Sequence, residues 1–199
     1  MKLKIGRLTV SLGFPYFALA AYFLSGDMYK NYLCAVLFSS LHELGHIISI
    51  RMADCNIKEI SLDIMGIRID KNIGSMSYEN ECITALCGPL VNLVFALLFC
   101  VLKNGNEIFS LPFNINLGLF LINMLPVRTL DGGRFLNCLL LKFLDEEKAQ
   151  RTSVLAESSV VLLLIAVLIL TLIFGVVNTS FVFFALSLVC MTVFSLIKS

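Results

Sequence analysis

Long apolar runs are the feature of this sequence that most constrains its fold. A helix that crosses about 30 Å of hydrocarbon needs about 20 mostly apolar residues. Hydrophobic residues make up 58% of the 199 positions, which exceeds the roughly 45–50% of soluble globular domains. We therefore predict an integral membrane protein with about six spans, which are Leu8–Ser25, Asn31–Ile50, Cys82–Leu102, Leu111–Val127, Val154–Phe174 and Ser180–Ile197.

The basic residues are distributed unevenly among the connections between these spans. If the N-terminus is cytoplasmic, thirteen of the 15 Lys and Arg residues lie on the cytoplasmic side, and only Lys30 and Lys103 lie on the other. Cytoplasmic loops of membrane proteins carry such an excess of basic residues. The pattern predicts a cell-membrane protein with an all-α polytopic fold and both termini cytoplasmic. The length of 199 residues, with no Ser/Pro/Gly-rich linker, predicts a single domain over residues 1–199. No basic patch with interleaved aromatic residues indicates nucleic-acid binding.

The connection over residues 51–81 is long enough to have a structure of its own. Ile60, Leu62 and Ile64 alternate with polar residues, and Ile67 and Ile69 do the same after a Met-Gly interruption. Period-two alternation of this kind predicts a small β-hairpin at the membrane surface. An unpaired strand edge there could hold an extended substrate, which makes Leu62 and Ile67 candidate substrate-positioning residues. The alternative is a loop that packs a little apolar surface.

The only two histidines of the chain, His42 and His46, lie four residues apart in the second apolar run. Positions i and i+4 of a helix share one face, so both imidazoles can reach one metal ion. Glu43 is close enough on the same helix to act on a water molecule at that metal. Ionisable groups deep in a bilayer are costly and usually mark a functional site. The run predicts a metal-binding helix with Glu43 as the catalytic base, and the alternative is a histidine pair that is hydrogen-bonded within the bundle.

A catalytic zinc site usually has three protein ligands and an open position, so a third ligand is required. Asp131 is the best placed, because it follows the fourth predicted span on the cytoplasmic side, which His46 approaches. Pro126 and the Gly132-Gly133 pair break helical regularity and would let the carboxylate turn toward the metal. Two alternatives stay open: an ordinary turn at Asp131, and Glu157 as the third ligand.

The run that contains His42 and His46 and the run that ends at Asp131 together resemble the site-2 protease family of intramembrane metalloproteases, peptidase family M50. The run from His42 to His46 matches the family's His-Glu-x-x-His pattern, and Gly88–Asn92 looks like its Gly-x-x-x-Asn element. The family's Asn-x-x-Pro-x-x-x-Leu-Asp-Gly pattern is matched at Asn123, Pro126, Leu130, Asp131 and Gly132. The six-span core is similar to the compact bacterial branch that contains the stage-IV sporulation protease, although we expect neither its C-terminal nucleotide-sensing domain nor a PDZ-like insertion.

The resemblance implies hydrolysis of a peptide bond in or near a transmembrane segment of a membrane-protein substrate. One Zn²⁺ would be held by His42, His46 and Asp131 toward the cytoplasmic leaflet, and Asn123 would help to position the substrate. An anti-sigma factor or a sigma-factor precursor is the substrate class that this branch suggests, and a regulatory membrane partner is compatible with it. A non-catalytic metal-binding adaptor is the remaining alternative, and the intact Glu43 argues against it.

Overall fold

The computed structural model describes residues 2–5, 8–12, 29–53, 57–63, 66–71, 77–103 and 106–174, together with scattered helical positions between 182 and 192. Its elements in chain order are strands β1 (Lys2–Ile5) and β2 (Leu8–Leu12), helix α1 (Tyr29–Met52), strands β3 (Ile57–Asp63) and β4 (Gly66–Lys71), and helices α2 (Tyr78–Leu102), α3 (Ser110–Asn123), α4 (Asp131–Phe143) and α5 (Glu146–Ile173). A short 3₁₀ turn, Glu107–Phe109, precedes α3. The chain divides into two compact units, Met1–Leu121 and Ile122–Ser199. The single-domain organisation stays a prediction.

Three described helices, α1, α2 and α5, are long and apolar enough to cross a membrane. They contain most or all of the predicted spans Asn31–Ile50, Cys82–Leu102 and Val154–Phe174. The fourth predicted span is shorter than expected, because α3 has 14 residues and ends at Asn123. At 1.5 Å per residue such a helix is about 21 Å long, less than the hydrocarbon thickness.

The first predicted span does not begin at Leu8, because residues Leu8–Leu12 form strand β2. Its remaining residues, from 13 to 25, lie outside the described part of the chain. The sixth predicted span, Ser180–Ile197, lies mostly outside it as well. One helix was missed: α4 occupies Asp131–Phe143, within a segment that we expected to be a connection.

Strands β1 to β4 form one four-stranded sheet in that order. The β3–β4 pair is antiparallel and lies where the alternating pattern predicts a hairpin, with Leu62 opposite Ile67. Strands β1 and β2 were not predicted from the sequence. Strand β2 runs parallel to β3. Within the described residues β3 therefore has a neighbour on each side, whereas β4 pairs only with β3 and forms an edge.

Helices α1 and α2 pack against each other in opposite directions in the first unit. Near the start of α1, Phe38 contacts Phe95 and Phe99, with ring centroids 5.3 and 5.6 Å apart. Near its end, Ser49 Oγ lies 3.1 Å from Thr84 Oγ1, close to the start of α2. This antiparallel arrangement gives both helices a shared buried face, on which the two histidines lie.

The start of α2 carries a local N-terminal signal. Ser77 is the N-cap, and its side chain accepts a hydrogen bond from the Asn80 backbone N–H at 3.3 Å. Glu79 and Glu81 lie in the first turn, where negative charge interacts favourably with the helix dipole. This cap accounts for the start of α2 at Tyr78.

Candidate metal centre

His42 and His46 form a close, buried pair on α1. Each histidine is 5% exposed, and their Nε2 atoms lie 3.2 Å apart. The two rings are nearly perpendicular, with centroids 4.8 Å apart. The i, i+4 spacing therefore brings the same nitrogen of both side chains to one point, as the sequence predicts.

The opposite ring nitrogens are held by α2. His46 Nδ1 lies 2.7 Å from the Thr84 backbone oxygen, and His42 Nδ1 lies 3.0 Å from Asn92 Nδ2. A carbonyl oxygen only accepts, so a neutral His46 carries its proton on Nδ1 and keeps the Nε2 lone pair. Outer hydrogen bonds of this kind fix the orientation and tautomer of metal-binding histidines.

Two glycines create the space that this arrangement needs. A Cβ atom at Gly45 would come within 2.8 Å of the Cys87 backbone oxygen, so Gly45 permits the close approach of α1 to α2. A Cβ atom at Gly88 would come within 2.7 Å of His42 Nε2 and would also meet His46 Nε2. Gly88 thus leaves open the space beside both nitrogens, where an ion would lie.

Asp131 lies in the first turn of α4, in the second unit. Leu130 is the N-cap of this helix, and Asp131 itself is 9% exposed. The chain turns tightly just before it, with the Val127 N–H donating to the Leu125 oxygen and the Leu130 N–H donating to the Val127 oxygen, both at 2.8 Å. Arg134 Nη1 lies 3.7 Å from Asp131 Oδ1, which helps to compensate the buried negative charge.

The Gly132-Gly133 pair explains how this turn can pack so closely. A Cβ atom at Gly132 would collide with the backbone of Met124, and one at Gly133 would collide with the backbone of Val127. Any larger residue would push the turn away from the start of α4. The pair therefore supports the backbone around Asp131.

His42 and His46 in the first unit and Asp131 in the second are buried residues whose side chains can each offer one metal-ligand atom. Two imidazoles and one carboxylate are a donor set typical of catalytic zinc. The space beside Gly88 and the donor chemistry both fit the metal that the sequence predicts.

The other predicted site residues lie on α1, on α3 and in the sheet. Glu43 follows His42 on α1 and is half-buried, and Asn123 is half-buried at the end of α3. Leu62 and Ile67 are opposite each other in the β3–β4 pair. The roles of these four residues stay predictions.

Glu157, the alternative third ligand, has a different partner. Its side chain is 1% exposed, and its Oε2 lies 3.3 Å from Arg128 Nε in the second unit. Glu157 is therefore paired with a cation of its own unit. Arg128 precedes Asp131 by three residues, so this ion pair holds the turn that leads to the predicted ligand.

Gly88 and Asn92 were noted only as part of a Gly-x-x-x-Asn element, and neither they nor Thr84 were predicted to be site residues. The three residues recur every four residues, so they share one face of α2, as His42 and His46 share one face of α1. The signal that could have found them is this spacing of two polar residues about a glycine. It is weak in the sequence, because nothing there says which face of α2 meets α1.

Comparisons with known proteins show similarity to a curated protein and to a solved structure. No protein-family model matches the chain. It is 30% identical over 133 residues to stage IV sporulation protein FB of Bacillus subtilis (strain 168), a match that covers 64% of this chain and 46% of that protein. The match thus spans less than half of the relative's own length. The fold is similar to that of the site-2 protease from Methanocaldococcus jannaschii, with a TM-score of 0.66, 20% identity, and coverage of 94% of this chain and 91% of the other.

Proposed function

We propose, from its similarity to a sporulation protein and to the fold of a site-2 protease, that this chain is an intramembrane zinc metalloprotease of the site-2 protease family. Its reaction would be hydrolysis of a peptide bond in or near a transmembrane segment of a membrane-associated substrate. The observation that carries the proposal is the buried His42–His46 pair, whose Nε2 atoms lie 3.2 Å apart, with Asp131 proposed as the third ligand. The two histidines lie on a helix long and apolar enough to cross a membrane, where buried ionisable groups are costly unless they serve a function.

In the proposed reaction, the three ligands would hold one Zn²⁺ through the His42 and His46 Nε2 atoms and a carboxylate oxygen of Asp131. A zinc ion in such a site supplies a water molecule that is acidic near neutral pH and polarises a carbonyl group. Glu43 accepts a proton from the attacking water and then donates it to the leaving amine. Both proton transfers use one carboxylate, so Glu43 regains its charge at the end of each turnover.

The substrate must present an extended segment to this centre, because a helix hides its peptide bonds behind its own hydrogen bonds. The edge strand β4 is the proposed docking site, since an extended peptide can add to an unpaired edge. It lies beside α1, the helix that carries both histidines. Asn123 would contribute by orienting the substrate backbone or the developing oxyanion.

The substrate class is proposed from the similar sporulation protein, and the orientation from the basic residues. We propose that the substrate is a membrane-associated regulator such as an anti-sigma factor or a sigma-factor precursor, because the similar Bacillus subtilis protein is named for sporulation. Both termini and the metal centre would face the cytoplasm, as the distribution of basic residues suggests. Nucleic acid is not part of the proposed function.

The experiment that tests the activity is expression of the wild-type chain and of Glu43→Gln in a bacterial host. Mass spectrometry of membrane-protein termini would then identify new cleavage sites. We expect sites in or near transmembrane segments with the wild type, their loss with Glu43→Gln, and equal zinc content in both purified proteins. Equal cleavage by both forms would refute Glu43 as the base, and no cleavage by a zinc-loaded wild type would favour a non-catalytic metal-binding adaptor.

A further inference from the structure

Asn92 is a buried residue beside the histidines whose hydrogen bonding is incomplete. Its side chain is 0% exposed, and its Nδ2 lies 3.0 Å from His42 Nδ1. Its Oδ1 has no hydrogen-bond partner within the described part of the chain. Since the other end of the amide has no partner to fix its direction, the contact with His42 decides which of the two atoms faces the ring.

The orientation of the amide determines which nitrogen of His42 carries the proton. An amide nitrogen only donates, so when Nδ2 faces His42 the Nδ1 atom must accept. The proton of the neutral ring is then on Nε2, the atom that lies 3.2 Å from His46 Nε2. A protonated nitrogen has no lone pair for a metal. The amide orientation with Nδ2 toward His42 therefore opposes metal binding.

We propose that Asn92 is a positioning residue that selects the metal-binding tautomer of His42, an inference that rests on the metal centre of the proposed function. A half-turn about the Cβ–Cγ bond exchanges Oδ1 and Nδ2 with little change in shape, as for any side-chain amide. Oδ1 then accepts a hydrogen bond from the His42 Nδ1–H. The ring stays neutral, because one proton leaves Nε2 as one joins Nδ1, and the Nε2 lone pair becomes available.

With the amide in this orientation, both histidines would donate a hydrogen bond from Nδ1 to an oxygen of α2. His46 already has its Nδ1 against an oxygen of α2, the Thr84 carbonyl at 2.7 Å. Asn92 Oδ1 would do the same for His42, two helical turns further along. Gly88 lies midway between them, where a Cβ atom would meet the Nε2 atoms of both rings. One face of α2 would thus orient both imidazoles and leave space for the ion.

The first test measures the zinc affinity of the full-length chain in detergent, by competition with a chromophoric zinc chelator. Asn92→Leu keeps the size but removes the acceptor, and Asn92→Asp keeps an acceptor. Asn116→Leu is the matched control, because Asn116 is also 0% exposed, and its Nδ2 donates to the Pro112 oxygen rather than to a histidine. Loss of a hydrogen-bond partner of a metal ligand typically weakens binding by about 10–100-fold.

We expect that loss for Asn92→Leu, zinc affinity within about threefold of wild type for Asn92→Asp, and no change for Asn116→Leu. Unchanged affinity in Asn92→Leu, or equal weakening in Asn92→Leu and Asn92→Asp, would overturn the role of Asn92. If the wild type binds zinc tightly, such a result overturns only the role of Asn92. A wild type that binds no zinc would overturn both this inference and the proposed metal centre.

The second test needs no variant, so it stands even if Asn92→Leu does not fold. The chain has 2 histidines, so ¹⁵N-histidine labelling reports only His42 and His46. In the zinc-loaded wild type we expect both rings to carry a proton on Nδ1 and to bind through Nε2. A His42 ring protonated on Nε2 in the zinc-loaded protein would contradict the proposal.

Discussion

Gly88 lies directly against His42, since a Cβ atom at this glycine would come within 2.7 Å of His42 Nε2. The same Cβ atom would meet the His46 ring, so neither imidazole could keep its place. We expect Gly88→Ala to weaken zinc binding at least tenfold, which corresponds to about 1.4 kcal/mol. Chelator competition on the purified protein measures this loss.

Gly118 provides the matched control for that substitution. It lies in α3, and a Cβ atom there would have no neighbour within 4 Å. Gly118→Ala should therefore leave zinc affinity unchanged and raise helix stability by up to about 1 kcal/mol, because alanine is the better helix former. Equal zinc affinities of the two alanine variants would show that the space beside Gly88 is not needed for the ion.

Asp131→Ala should lose zinc affinity, because it removes the single carboxylate of the proposed donor set. Loss of a hydrogen-bond partner of a metal ligand alone weakens metal binding by about 10–100-fold, so we expect the loss of a ligand to exceed tenfold. Glu157→Ala is the comparison, since Glu157 is buried but pairs with Arg128. Zinc content that falls in Glu157→Ala and persists in Asp131→Ala would reverse the assignment of the third ligand.

The Arg128–Glu157 pair should matter for stability rather than for metal binding. Glu157 is 1% exposed and Arg128 is 23% exposed on their side chains, so removal of the carboxylate leaves a partly buried charge without its partner. Breaking a buried pair costs about 3–5 kcal/mol, and the partial exposure of Arg128 favours the lower end, about 3 kcal/mol. We expect Glu157→Gln to lower the free energy of unfolding by that amount in denaturant titrations, and a change below about 0.5 kcal/mol would contradict a structural role.

Zinc itself should stabilise the folded chain. A ligand that binds only the folded state at about 100 times its Kd adds about 2.7 kcal/mol to the free energy of unfolding. We expect thermal melting in detergent to shift upward with zinc and to return when a chelator is added. His46→Ala should abolish the shift, because its Nε2 atom is one of the proposed ligands. A shift of equal size in that variant would place the stabilising ion elsewhere.

Proline in the β3–β4 pair tests the docking of an extended substrate. Leu62 and Ile67 lie opposite each other, and proline at either position removes a backbone N–H donor. At Ile67, on the edge strand, one lost hydrogen bond to the substrate is worth about 1 kcal/mol and corresponds to about fivefold in cleavage. Leu62 lies on β3 between two strands, so proline there acts by disturbing the sheet that presents the edge. We expect cleavage of the membrane substrates found by mass spectrometry to fall by that factor, with zinc content unchanged. Wild-type cleavage rates in both variants would exclude the strand edge as the docking site.

Local patterns predicted several parts of the structure well. Three long apolar helices were recognised, because hydrophobic length is a property of consecutive residues. His42 and His46 were placed on one helical face, because the i, i+4 relationship follows from helix geometry alone. The short α3 and the amphipathic α4 were harder to predict, since neither has the uniform hydrophobicity of a membrane span.

The sheet shows where local patterns were insufficient. Alternation in residues 57–71 indicated two strands, but β2 was included in a predicted span, because Leu8–Leu12 opens an apolar run. Its pairing with β3 joins residues about 50 positions apart. Such pairing depends on partners that no local pattern specifies.

The sequence by itself determined the chemistry of the site, because a donor set is a matter of residue types and of spacing along one helix. His42, Glu43 and His46 are present whatever α1 packs against. Only the tertiary structure decided how the histidines are oriented, since Thr84, Gly88 and Asn92 act through the face that α2 turns toward α1. Which face of α2 meets α1 depends on which side chains fit between the two helices. Gly45 allows their close approach, and the choice of face is therefore made only when both helices pack together.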